Sequence, residues 1–154
     1  SSFLADMRDM LATADSGTLV LNNAGASTPA LLINNGYSRD NAYYQLAGAV
    51  EGGGTWRFDK GGNAVTNRIV FSGDVSAWNG ALEVVRGFNV DLTFAHRNGT
   101  VNAALSRSQG TLTVHVDEDT TFNAALSGTV SHITYVRAKC ACLNASMLGT
   151  IQLT

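Results

Sequence analysis

Three histidines, His96, His115 and His132, recur at nearly even intervals in a chain of 154 residues. On successive coils of a repeating fold, such spacing would line up imidazoles able to bind a metal or titrate near neutral pH. Strand parity separates them. His115 and His132 fall on the wet faces of their strands, whereas His96 shares the parity of Leu92 and Phe94 just before a turn. They read as single histidines. Asp117-Glu118-Asp119 would turn two carboxylates to one side of an extended segment, where a hard cation binds through oxygen. No further spaced carboxylates follow, and the triplet reads as a solvated turn before Thr120-Thr121. Cys140 and Cys142 are the only cysteines. In a strand, Cys-x-Cys points both thiols the same way, a poor geometry for a disulfide, so they read as small buried hydrophobes. No metal site and no cofactor are expected.

The aromatic residues offer a different chemistry, stacking on sugar rings or on another protein. Trp56 and Phe58 share a strand face and belong to a core, and Trp78, Tyr37, Tyr43 and Tyr44 complete the candidates. In a strand, Tyr43-Tyr44 must send one ring each way, so one of the pair is a surface candidate. Asp15, followed by Ser16 and Gly17, reads as a turn carboxylate accepting backbone N–H groups. No Gly-x-Ser-x-Gly elbow is present, and Gly52-Gly53-Gly54 leads into a strand, unlike a phosphate-binding loop. Asn98-Gly99-Thr100 and Asn144-Ala145-Ser146 fit the glycosylation pattern, which matters in a secretory eukaryote.

The elements that must position these residues repeat. Asn102-Ala103-Ala104-Leu105-Ser106 recurs a short way on as Asn123-Ala124-Ala125-Leu126-Ser127. The period, roughly 20 residues, is about one coil of a solenoid. Looser echoes run from Leu46-Ala47-Gly48-Ala49-Val50 to Thr55-Trp56-Arg57-Phe58, and from Phe71-Ser72-Gly73-Asp74-Val75-Ser76 to Ala81-Leu82-Glu83-Val84. The strand centres, near positions 57, 83, 113 and 134, are unevenly spaced, which makes the repeat degenerate. Val90, Leu92 and Phe94, and likewise Leu112, Val114 and Val116, alternate with polar neighbours as half-buried strands do. Phe3, Met7, Met10 and Ala14 recur at helical spacing, so residues 1–16 are expected to form a short helical cap on a β-rich repeat region spanning 17–154. Asn-Gly at 79–80 and at 98–99 is also a hairpin signal, which keeps an antiparallel β-sandwich as the alternative.

Composition narrows the classes. Charged residues make up 14% of the chain and formal net charge is −2, with Lys60 and Lys139 the only lysines. Without a basic stripe, nucleic acid is not an expected partner. Asn, Ser, Thr and Gly take the place of charge, as in many secreted and cell-surface β-proteins. No apolar run approaches the ~20 residues of a membrane-spanning helix. There is no basic leader with an apolar stretch, so any signal peptide is expected to have been removed.

Residues 67–84, from Asn67-Arg68-Ile69-Val70-Phe71-Ser72-Gly73 through Gly80-Ala81-Leu82-Glu83-Val84, resemble the repeats of autotransporter-associated β-strand proteins. Thr111-Leu112-Thr113-Val114 and Thr120-Thr121-Phe122-Asn123 are similar in style, and the likeness covers roughly residues 45 to 136. It implies a right-handed parallel β-helix exported to the bacterial surface, with inward residues stacked into apolar ladders. A second, shorter string, Asp15-Ser16-Gly17-Thr18, resembles the active-site loop of aspartic proteases of the retroviral type. That resemblance implies a homodimer in which Asp15 shares a proton with Asp15 of a second copy, Gly17 lets the backbone support the carboxylate, and Met147-Leu148-Gly149 supplies the later hydrophobic-glycine element.

The expected protein is therefore all-β, a right-handed β-solenoid with an N-terminal capping helix. Its expected function is that of a secreted or surface-exposed module with a structural or adhesive role toward a cell-surface protein or glycan. A homodimeric aspartic peptidase using Asp15, Ser16 and Gly17, or a carbohydrate-binding β-domain, are the alternatives.

Overall fold

The computed structural model describes residues 17–22, 28–36, 38–116, 120–128 and 133–136. Along these residues the chain winds in coils, each laying down a short strand and then one strand in each of two five-stranded sheets. The first coil carries β1 (Leu19–Val20), β2 (Leu31–Ile33) and β3 (Ala42–Leu46). The second carries β4 (Val50–Glu51), β5 (Thr55–Asp59) and β6 (Val65–Phe71). In the third, a bridge from Trp78 to Gly52 replaces the short strand ahead of β7 (Ala81–Arg86) and β8 (Phe88–Phe94). Next come β9 (Thr100–Val101), β10 (Ala104–Arg107) and β11 (Thr111–Val116), and then β12 (Thr121–Phe122), β13 (Leu126–Gly128) and β14 (Ile133–Val136). One large sheet runs β2-β5-β7-β10-β13 and the other β3-β6-β8-β11-β14.

Every pairing among the described strands is parallel. The fold is an all-β parallel solenoid, and the antiparallel sandwich is excluded. The Asn-Gly pairs that suggested hairpins instead turn corners between faces of one coil. Asn79 donates its backbone N–H to the Gly52 carbonyl at 2.9 Å, and Asn98 adopts a φ of 58° before Gly99. The expected capping helix lies in residues 1–16, outside the described residues.

The irregular repeat resolves once the two sheets are separated. Arg57 and Glu83 pair directly, and so do Thr113 and Thr134, but positions 83 and 113 belong to different sheets. The neighbour of Thr113 on the preceding coil is Asp91. Coils shorten along the chain, from 26 residues between Arg57 and Glu83 to 22 between Asn89 and Thr111 and 21 between Asn102 and Asn123. The repeated Asn-Ala-Ala-Leu-Ser phrase is in register: Leu105 faces Leu126 and Ser106 faces Ser127. Its asparagines join the coils through their side chains, with Asn123 Nδ2 donating to Asn102 Oδ1 at 3.2 Å and Asn102 Nδ2 to the Ser76 carbonyl at 2.8 Å.

Alternation along each strand fills the interior. Leu31, Trp56, Leu82, Leu105 and Leu126 form one inward ladder, and Tyr44, Ile69, Leu92 and Val114 another, all buried. Aromatic rings run through the core from coil to coil. Phe71 stacks on Phe94 with centroids 5.1 Å apart and meets Trp56 edge-on at 6.2 Å, while Phe94 meets Phe122 at 6.3 Å. Asn67 is a buried polar residue in an inward row, and its side-chain amide donates to the Arg39 carbonyl at 2.9 Å. Outside, the half-buried pair Arg57–Glu83 at 2.7 Å and the more exposed pair Arg86–Asp59 at 2.8 Å tie neighbouring coils, each worth no more than about 1 kcal/mol.

Corners need glycine where coils approach most closely. A Cβ on Gly48 would overlap the Gly17 carbonyl oxygen, and one on Gly73 would overlap that of Gly48. A Cβ on Gly17 would meet nothing. Gly48→Ala and Gly73→Ala are therefore expected to cost about 1–3 kcal/mol each, and Gly17→Ala far less. Urea melts of the three variants measure the difference, and equal midpoints would refute the stacked corner. Between the two large sheets the one-residue turn at Gly87 takes a φ of 78°, in the left-handed region.

Candidate functional site

Several sequence candidates lie outside the described residues: Asp15, Ser16, Tyr37, Asp117-Glu118-Asp119, His132, Cys140, Cys142, Asn144-Ala145-Ser146 and Met147-Leu148-Gly149. Gly17, the last member of the catalytic candidate set, opens the described chain and sits in the glycine column just described. Its carbonyl is what a Cβ on Gly48 would strike, whereas a Cβ on Gly17 itself would meet nothing. Among the described residues no three His, Cys, Asp or Glu side chains are grouped to hold a metal ion. No helix among them is long and apolar enough to cross a membrane, which says nothing of strands.

The two described histidines do not form a ladder. His96 sits at the corner after β8, with Nδ1 3.2 Å from the Ser72 carbonyl. His115 projects from the outer face of the second large sheet, with Nε2 3.0 Å from Asp91 Oδ1. That carboxylate oxygen is shut off from water and has no hydrogen-bond partner among the described residues.

Asp74 shares the corner with His96. It accepts the Ser76 backbone N–H at 2.9 Å, and this bond, followed by the Ser76 side chain and the charge of His96, holds its pKa below the usual 3.8 despite some desolvation. A carboxylate with its folded value below its unfolded value stabilises the fold above pH 3.8, and that contribution is lost as pH falls below it. Asp74→Asn should therefore lose less melting temperature than wild type between about pH 5 and about pH 2. The effect is small because the side chain is exposed. Identical acid sensitivity in thermal melts would remove Asp74 from the account.

Trp56 and Trp78 are fully buried and cannot stack on a ligand. The tyrosine pair divides as strand parity requires: Tyr44 is 2% exposed and Tyr43 is 47% exposed. Tyr43 opens a row that crosses the second sheet on its outer face. The register pairs Tyr43 with Arg68, Arg68 with Asp91, and Asp91 with Thr113. A second row beside it pairs Val70 with Thr93 and Thr93 with His115.

Two open depressions lie on this face. One, of about 190 Å³, is lined by Asn41, Ala42, Tyr43, Thr66 and Arg68. The other, of about 350 Å³, is lined by Arg68, Val70, Asp91, Thr93 and His115. Arg68 belongs to both. A third, apolar void of about 10 Å³ between Phe71, Val75, Phe94 and Val101 is no larger than a water molecule's share and is part of the core. Sequence reasoning missed Arg68 and Asp91 as site residues. Each stands between two inward apolar or buried residues, so the alternation marks both as outward, but which coils they meet depends on lateral register.

No protein-family model matches the chain, and no curated protein or solved structure matches it.

Proposed function

We propose that this chain is a module displayed outside the cell, secreted or held at a bacterial surface, in the manner of the autotransporter passengers whose repeats it resembles. Its role is structural or adhesive. The observation that carries this reading is the outer surface of the parallel stack. Successive coils there present Thr, Ser and Asn side chains between charges of both signs, joined coil to coil by contacts such as Asn102–Asn123 and Asn89–Thr111. Such a surface stays wetted without ionic strength-dependent attraction, and the stack offers the long, regular face that contact with another surface uses. A right-handed winding belongs to the same proposal, because parallel strands joined by crossovers take that hand almost without exception.

Retention on cells tests the adhesive reading. Beads coated with the folded chain are expected to remain on cultured epithelial cells after washing, more than beads coated with an unrelated β-protein. Equal retention would sink the adhesive role. In the same preparation, casein cleavage between pH 3 and 7 that disappears in Asp15→Asn would replace the proposal with a dimeric aspartic peptidase.

A further inference from the structure

We infer that the outer face of the second large sheet binds a neutral oligosaccharide, with Tyr43 and Arg68 at its centre. The inference deepens the adhesive reading and rests on it for its biological use. Three observations carry it. Tyr43 is one of two large hydrophobic side chains exposed among the described residues, and it leaves a regular strand on the outer face of the sheet. The register aligns it with Arg68 and Asp91 on the next two coils, at the usual strand spacing of about 4.8 Å. The two depressions lie side by side, with Arg68 in the lining of both, and together they extend from Tyr43 to His115.

The chemistry of that face suits a sugar. A pyranose presents an apolar C–H face, which packs on an aromatic ring, and a rim of hydroxyls that need directional partners. Around the Tyr43 platform stand such partners. The Arg68 guanidinium is exposed and has no ion pair among the described residues, so its donors are available. The Asp91 carboxylate, beside His115, supplies acceptors. Thr66 lines one depression and Thr93 the other, and each brings a hydroxyl that does either.

Charge selects the class. One fixed cation, Arg68, and one fixed anion, Asp91, stand side by side in the row, so their fields largely cancel over a ligand spanning both. Neither a polyanionic nor a polycationic chain gains from this face. A neutral oligosaccharide laid along the solenoid axis meets a new coil about every strand spacing and satisfies both groups.

The test uses the full chain and a panel of immobilised neutral oligosaccharides, followed by titration calorimetry of the best binder. Tyr43→Ala and Arg68→Ala are each expected to weaken binding about tenfold, with melting temperature unchanged because both side chains are exposed. Arg57→Ala, on the other large sheet, should leave affinity unaltered. Absence of binding at millimolar concentration, binding restricted to acidic glycans, or affinity insensitive to Tyr43→Ala would each overturn the site. Dimerisation in sedimentation that is lost in Tyr43→Ala would assign the face to a second copy of the chain and overturn it too. Cell retention that survives Tyr43→Ala refutes the site and leaves the adhesive reading intact. Glycan binding without cell retention does the reverse.

Discussion

Val114→Asp is expected to abolish the cooperative melt, whereas Thr113→Asp leaves a folded protein. Val114 is fully buried in the ladder with Leu92, and no cation or donor is provided for a carboxylate there. Burial of this kind raises a carboxyl pKa by about 3–5 units, so at neutral pH the group must take up a proton at a cost of about 4 kcal/mol, in addition to the lost apolar packing. Net stabilities run to only about 5–15 kcal/mol. Thr113 points outward, beside Asp91 in the register, so a second carboxylate costs no more than about 1 kcal/mol through like-charge proximity. Thermal melts by circular dichroism decide the matter. Equal midpoints for the two variants would mean that the register of β11 is wrong.

Phe71→Ala should remove about 3–5 kcal/mol, the largest loss expected from a simple truncation in this core. Phe71 joins its own coil to the next. It stacks on Phe94, at an interplanar angle of 10°, and touches Trp56 in edge contact and Trp78 at 5.8 Å. The small void already beside it would widen into a cavity that parallel strands cannot close, because each is hydrogen-bonded to neighbours on both sides. Phe71→Leu should recover most of the loss by refilling the volume. Urea unfolding followed by tryptophan fluorescence reads the effect directly, since Trp56 and Trp78 are both in contact with the ring. A loss under about 1 kcal/mol would show that the aromatic column is not what holds the coils together.

Of the candidate site, the sequence carried the platform but not its surroundings. Tyr43-Tyr44 announced that one ring must face out, and the Ala42 and Leu46 flanks reveal which. Nothing local announced that Arg68 and Asp91 would stand beside it, since they come from the next two coils, through the pairings of Tyr43 with Arg68 and of Arg68 with Asp91. The pairing of His115 with Asp91 was hidden for the same reason. The histidine spacing that first suggested a ladder mixes a corner residue with a sheet residue, and coils of unequal length destroy the meaning of a fixed period.

What the sequence determined by itself is local. Period-two alternation assigned Trp56, Phe58, Leu92, Phe94, Val114 and Phe122 to the interior, because side chains in a strand must alternate between faces. The repeat of Asn-Ala-Ala-Leu-Ser declared the length of one coil, because the two copies occupy the same corner of successive coils. Tertiary structure alone decided the rest. Asn-Gly corners are compatible with hairpins and with coils, and the choice between them rests on backbone hydrogen bonds to the neighbouring coil, far away in sequence. The division of each coil into two large sheets turns on single-residue bends such as Gly87, where the alternation barely breaks. Lateral register, which brings Tyr43, Arg68 and Asp91 into one row, is a property of the stack, set by how inward ladders and glycine corners pack together.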